Sequence, residues 1–176
     1  MFLLQQKVAH FDQFAFRWFH SQRYALQVAR VSRWVSRLGD GGCYLVLGIA
    51  LMWLDGTRGE TFLLTGLCAY AIELPLYLLL KNTIKRDRPG DKLERYSAFI
   101  EPSDKFSFPS GHSAAAFVFA GLLAAFYPVT LVPGLVFAAA VGFSRVLLGV
   151  HFPTDIVAGA LLGLSSVWFA LLMMGV

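Results

Sequence analysis

The sequence predicts an all-α fold: an integral-membrane helical bundle of five to six transmembrane helices, preceded by an amphipathic segment at the interface. Three observations carry this. The chain of 176 residues is 57% hydrophobic, with a mean hydropathy of +0.61, where a soluble domain would be about 45–50% apolar. Residues 156–176 hold no charged side chain, and about 20 apolar residues suffice to cross the hydrocarbon core as a helix. Similar apolar runs recur along the chain, separated by polar breaks. A single domain over 1–176 accommodates them, with 1–38 as the interfacial segment and 39–176 as the bundle.

Residues 8–38 carry Asp12, Arg17, Arg23, Arg30, Arg33 and Arg37 among Phe11, Phe14, Phe16, Trp18, Phe19 and Trp34. An arginine at the centre of a lone helix costs about 2.5–3.5 kcal/mol. One or two amphipathic helices lying in the interface therefore fit better than a span, and a sixth span here would bury several arginines. Residues 38–42 form a glycine-rich break. Five spans are expected after it. The first, 43–54, is short and extends into its flanks or thins the bilayer. A tight polar turn over 55–60 follows. The second span is 61–80, with Glu73 and Pro75 inside it, and 81–109 is the long polar stretch. The remaining spans are 113–127, 129–148 and 155–175.

Cys43 and Cys68 read as small buried hydrophobes. The apolar core of residues 1–7 is too short for a signal peptide, and no lipidation motif is evident. The net charge of +4 suits an anionic substrate or an anionic lipid surface. Nucleic acid is not an expected partner, because the basic residues flank apolar spans.

Following the chain through these spans brings two polar segments to one membrane face. The 81–109 stretch leaves span 2 there. Span 3 crosses away, span 4 returns, and the 149–154 connection lies on the same face.

Three motifs sit at that face. In Lys81-Asn82-Thr83-Ile84-Lys85-Arg86-Asp87-Arg88-Pro89, a helix continuing past the span would place Lys81, Lys85 and Arg88 on one face. Pro89 would stop it. Alone, these cations also read as snorkelling anchors. Pro109-Ser110-Gly111-His112 precedes span 3, so the helix N-terminus aims unpaired N–H groups at the loop and makes an anion site. Alone, Ser110 reads as an N-cap and His112 as an interfacial histidine. In the third, Arg145 ends an apolar span, and Asp155 follows His151 by four residues. A carboxylate there can accept from one imidazole nitrogen and leave the other nucleophilic. It can equally cap its own helix. Together the three supply an oxyanion cradle, a nucleophile and a general acid, the parts that phosphoryl transfer needs.

The pattern Lys81-x6-Arg88-Pro89, Pro109-Ser110-Gly111-His112 and Ser144-Arg145-x5-His151-x3-Asp155 resembles the three-part signature of the type 2 phosphatidic acid phosphatase superfamily over about residues 38–170. The resemblance implies a membrane bundle that hydrolyses a lipid phosphomonoester or pyrophosphate through a phosphohistidine. Phosphatidylglycerophosphate, phosphatidic acid, undecaprenyl pyrophosphate and lipid A are the substrate types it suggests. It assigns His151 as nucleophile, Asp155 as its orienting carboxylate and His112 as acid and base. Lys81, Arg88, Arg145, Ser110 and Gly111 would bind the phosphate. No metal and no cofactor is implied, since the cations do the work of Mg²⁺. The partners implied are a phosphorylated lipid and membrane lipids. Many members begin with an additional transmembrane helix, whereas here the amphipathic segment comes first.

Rival readings are a lipid phosphotransferase, a vanadium haloperoxidase-like enzyme and a non-enzymatic anion transporter. The resemblance implies a bacterial inner-membrane protein whose site faces outward. Only Arg58 of the 15 Lys and Arg falls on the far face, which the positive-inside rule alone would read as a cytoplasmic site. Substrate binding accounts for several of those cations, so the outward orientation is the expectation. Glu73 is either functional or a neutral carboxyl bonded inside the bundle. Gly159 and Gly163 mark a close-packing face.

Overall fold

A computed structural model describes the backbone of residues 2–93 and 96–176, and the side chains of that range from residue 6 on. Met1, and Glu94 and Arg95 of the expected polar stretch, lie outside the described residues. The chain runs α1 (Phe2–His20), α2 (Ala25–Arg37), α3 (Gly42–Leu54), α4 (Gly56–Ile84), a short α5 (Pro89–Lys92), α6 (Gly111–Phe126), a 3-10 turn (Pro128–Thr130), α7 (Leu131–Leu147) and α8 (Pro153–Met174). No strand occurs among the described residues.

Helices stand at all five expected span positions. Those built on α4, α7 and α8 are each long and apolar enough to cross a membrane. Helices α2 and α3, taken together across their 41° bend, are long and apolar enough for a broken span or a re-entrant loop. Helix α6 is apolar but has only 16 residues. It lies at the centre, against α4, α7 and α8, while α3 packs on α4 and α2 on α7. Fully buried Ala114, Ala116, Ala120 and Ala138 let these helices approach closely. The packing beside α3 is aromatic, with Tyr44 stacked on Phe119 at 4.5 Å. Large apolar side chains such as Trp53 and Val132 point outward, as a lipid-facing surface requires.

The structure corrects three local expectations. The polar turn over 55–60 contracts to Asp55, and α4 already begins at Gly56. Close packing explains this: a Cβ at Gly59 would lie 1.9 Å from the Leu51 carbonyl oxygen, so glycine lets α4 start against the end of α3.

Lys81, Lys85 and Arg88 do not share a helical face. Helix α4 stops at Ile84, where Lys85 adopts a left-handed conformation (φ 48°) and its N–H bonds to the Lys81 carbonyl. Lys85 is exposed while Lys81 and Arg88 are buried. Pro89 opens α5 rather than stopping a helix. The non-helical residues 85–88 thereby run across the end of the bundle, which turns Arg86 and Arg88 toward residues 150–155.

The cysteines are less buried than expected. Cys43 is exposed and Cys68 half-buried, because the inward position in the first turn of α3 belongs to Tyr44.

The α3–α4 contact sets the first prediction. Gly59→Ala forces a methyl against backbone, and such overpacking costs about 1–3 kcal/mol. A melt in detergent should show a Tm lowered by several degrees, whereas an unchanged Tm would refute this role of Gly59.

Candidate active site

The two polar segments expected at one membrane face do meet. An Arg88 guanidinium N–H donates to the Val150 carbonyl at 2.6 Å, Phe99 N–H donates to the Leu148 carbonyl at 2.9 Å, and Ser110 N–H donates to the Asp155 carbonyl at 3.0 Å. The last bond is possible because α6 and α8 nearly touch. A Cβ at Gly159 or Gly163 would lie 2.4 Å from the carbonyl oxygen of Ser110 or Ala114 respectively. This is the close-packing face expected of the glycine pair, and it sets the Ser110-Gly111-His112 turn beside the start of α8.

His151 lies in the connection between α7 and α8 and is 2% exposed. Its Nδ1 stands 3.7 Å from Asp155 Oδ2. That exceeds a hydrogen bond, and Nδ1 has no other partner among the described residues. Asp155 is fully buried. Its Oδ2 accepts the Phe152 N–H at 2.8 Å, and its Oδ1 accepts from Arg86 at 2.6 Å. The carboxylate thus caps its own helix and faces the histidine without a hydrogen bond to it. Burial pushes the His151 imidazole down to about 4, against the opposing pull of Asp155. The ring is therefore neutral at physiological pH.

Lys81, Arg88 and Arg145 come from three segments, and each is about 5% exposed or less. The Asp104 carboxylate bridges two of them: Lys81 Nζ donates to one oxygen at 2.7 Å, and Arg88 donates to the other at 2.6 Å. The Tyr77 hydroxyl also donates to Asp104, at 3.0 Å, and accepts from Lys81 at 2.6 Å. Partial burial pushes the Asp104 carboxyl up, but Lys81 and Arg88 outweigh it and hold the group below its ordinary range. Arg145 donates to the Ser36 hydroxyl at 2.7 Å, while its Nε is buried without a partner among the described residues.

Ser110 is the N-cap of α6, its hydroxyl accepting the Ser113 N–H at 3.4 Å. A Cβ at Gly111 would sit 3.1 Å from the Tyr77 ring. His112 Nε2 lies 2.9 Å from an Asp40 carboxylate oxygen, at the junction of α2 and α3.

All eight site residues expected from sequence stand in the polar end of the bundle. Glu73 does not; it is buried in α4, two turns before Lys81. Sequence reasoning missed Tyr77, Asp104, Arg86, Asp12, Asp40 and Ser36. Two signals were available: Arg86 sits two residues before Arg88, and Asp12 is the sole acid in residues 1–38. Nothing local marks Asp104 or Ser36.

The convergent cations, paired histidines and helix N-terminus define a site for an anion in a membrane bundle. Comparison with known proteins gives the class a family. The PAP2 superfamily profile matches residues 61–176, and the chain belongs to that superfamily. It is 33% identical over 127 residues to the bacitracin transport permease protein BcrC of Bacillus licheniformis, covering 72% of this chain and 63% of that relative. The chain thus spans less than two thirds of the relative's length. The crystal structure of Aquifex aeolicus LpxE superposes with a TM-score of 0.76 and 28% identity, over 92% of this chain and 94% of that one. That of a transmembrane PAP2 type phosphatidylglycerolphosphate phosphatase from Bacillus subtilis gives 0.73 and 27%, over 93% and 84%. With its apolar spans, the chain is an integral membrane protein.

The depressed His151 value predicts a pH dependence of stability. Between about 4 and the ordinary value of 6.5, the unfolded chain binds more protons at this residue than the folded one. Stability from His151 is therefore complete above pH 6.5 and lost as pH falls toward 4, in total roughly 3 kcal/mol. His151→Gln should flatten the fall in Tm across this window; an unchanged slope would contradict the assignment.

Proposed function

We propose that the chain is a lipid phosphatase acting through a phosphohistidine on His151. One observation carries this reading: a buried histidine backed by a carboxylate lies at the same polar end of the bundle as three buried cations and a second histidine. His151 Nε2 attacks phosphorus, forming an N–P bond as the P–O bond to the lipid breaks. His112 gives its proton to the leaving oxygen. Neutral His112 then takes a proton from water, whose oxygen attacks phosphorus, and the N–P bond breaks to release phosphate. Lys81, Arg88, Arg145 and the Ser110–Gly111 turn hold the phosphate oxygens. Positioning and charge stabilisation are what phosphoryl transfer chiefly requires. Asp104, which spans Lys81 and Arg88 as an oxyanion would, yields its place to the substrate phosphate.

The leaving group passes His112 into a cavity of about 480 Å³ walled by Arg33, Arg37, Glu101, His112 and Arg145. Two arginines suit a second anionic group, and Glu101 suits a hydroxyl. A glycerol-linked phosphodiester has both, so phosphatidylglycerophosphate is the favoured substrate. The similarity to a phosphatidylglycerolphosphate phosphatase supports this choice. The site faces outward from a bacterial inner membrane.

His151→Ala and His112→Ala should each abolish phosphate release in detergent, and near-wild-type release from either would sink the reading. The Arg33→Gln/Arg37→Gln double variant should raise KM at least about tenfold for phosphatidylglycerophosphate, the worth of one charge-assisted bond, and spare phosphatidic acid. An equal loss on both lipids would overturn the substrate choice. For orientation, exposed Ser97 is changed to cysteine in a chain whose Cys43 and Cys68 are alanine. An impermeant maleimide should label it in intact cells; labelling only after lysis would reverse the orientation.

A further inference from the structure

Asp12 in α1 is fully buried, although α1 belongs to the charged segment read as interfacial and precedes the residues that match the family. A buried carboxylate is costly unless paired, and every partner of Asp12 leads to the active site. One oxygen accepts from Arg86 at 2.6 Å and from the Thr154 hydroxyl, and the other accepts the Thr154 N–H at 3.1 Å. The same guanidinium donates through its other nitrogen to Asp155 Oδ1, also at 2.6 Å. Phe152 lies under Arg86, 4.4 Å from ring centroid to guanidinium carbon, and Phe16 of α1 packs edge-on to Phe152 at 5.8 Å. A planar fork thus joins two carboxylates over an aromatic floor, immediately behind His151.

We propose that Asp12 and Arg86 are positioning residues for His151, acting through Asp155. This rests on the phosphohistidine reading. The fork occupies Asp155 Oδ1, so only Oδ2 is left for the Phe152 N–H and the imidazole. Charge matters as much as geometry. Arg86 alone would neutralise Asp155. With Asp12 present, two carboxylates share one guanidinium, and a net charge of −1 remains behind His151. That charge stabilises the positive charge that develops on the ring as Nε2 attacks phosphorus, yet no member of the pair touches the substrate. The effect therefore falls on the chemical step and leaves lipid binding alone.

The test is rapid-quench single turnover of the full-length protein in detergent with ³²P-labelled phosphatidylglycerophosphate, reading the acid-labile phosphoenzyme. Asp12→Asn should slow phosphoenzyme formation at saturating lipid by roughly 10-fold, the low end of what directly bonded outer-shell partners contribute, because Asp12 acts through Arg86 and Asp155. KM should stay within about threefold. Should that variant fail to fold, Arg86→Lys decides: it keeps the charge, but one ammonium cannot bridge both carboxylates in the fork's geometry, so the same loss is expected. Wild-type rates of phosphoenzyme formation in a folded variant, or a loss confined to KM, would overturn the proposal. A wild-type protein that releases phosphate without an acid-labile phosphoenzyme would instead overturn the reading on which it rests.

Discussion

The polar end of this bundle is organised by a charge that cannot reach water. Asp155 is fully buried at the start of α8, and an ionised carboxylate there persists only if its lone pairs are satisfied and its charge is matched. Two donors meet that demand. The Phe152 N–H satisfies one oxygen from the α8 N-terminus, Arg86 satisfies the other from the chain after α4, and the connection carrying His151 is held within reach between them. The backbone N–H of Ser110, donating to the Asp155 carbonyl, ties in the α6 turn. Two glycines allow this, since any side chain at Gly159 or Gly163 would push α6 away and carry Ser110 and His112 with it.

The same electrostatic logic explains the cradle. Lys81 and Arg88 are buried near one another, and cations so placed need a counter-charge. Asp104 supplies it from the loop, with the Tyr77 hydroxyl bridging lysine and carboxylate. The loop is further pinned by Arg88, whose Nε donates to the Asp104 carbonyl at 3.0 Å, and by Ser107, whose N–H donates to the Arg86 carbonyl at 2.8 Å. Arg145 differs. Among the described residues it has only a neutral partner, Ser36, and its buried Nε has none. Of the three cations it is the one without a carboxylate partner among the described residues.

Which parts were legible in sequence follows from the range of the forces involved. Span positions were legible because hydropathy is a property of consecutive residues, and the motif residues were legible because each motif is local. The shared membrane face followed from counting crossings alone. What failed were features set by contacts across the fold. A helical face shared by Lys81, Lys85 and Arg88 was a sound extrapolation of periodicity, but the left-handed turn at Lys85 ends that periodicity. The loss is what allows Arg86 and Arg88 to reach across to α8. The 55–60 turn was overestimated because Gly56 and Gly59 read as turn signals, whereas Gly59 serves close helix packing. Asp104, Asp40 and Ser36 reach their partners over 16 to 109 positions of sequence, and no window captures that.

The segment of residues 1–42, the expected interfacial stretch and the break after it, gives the clearest case of tertiary structure overriding local pattern. Its arginines and aromatics read as an interfacial anchor, and its exposed face, with Arg33, Trp34 and Arg37, retains that character. Its inner face does something else. Asp12 reaches Arg86, Ser36 reaches Arg145, and Asp40 reaches His112. Each contact pairs a polar group of the segment with a charged or titratable group of the end where α6, α7 and α8 meet. A helix that only anchored the chain to lipid would gain nothing from burying Asp12, because solvent hydration is the cheaper state for an unpaired carboxylate. The burial is favourable only because Arg86 and Thr154 are already in place to receive it. Docking of the segment and assembly of the polar end are therefore one equilibrium: whatever detaches α1 from the bundle also leaves Arg86 to Asp155 alone.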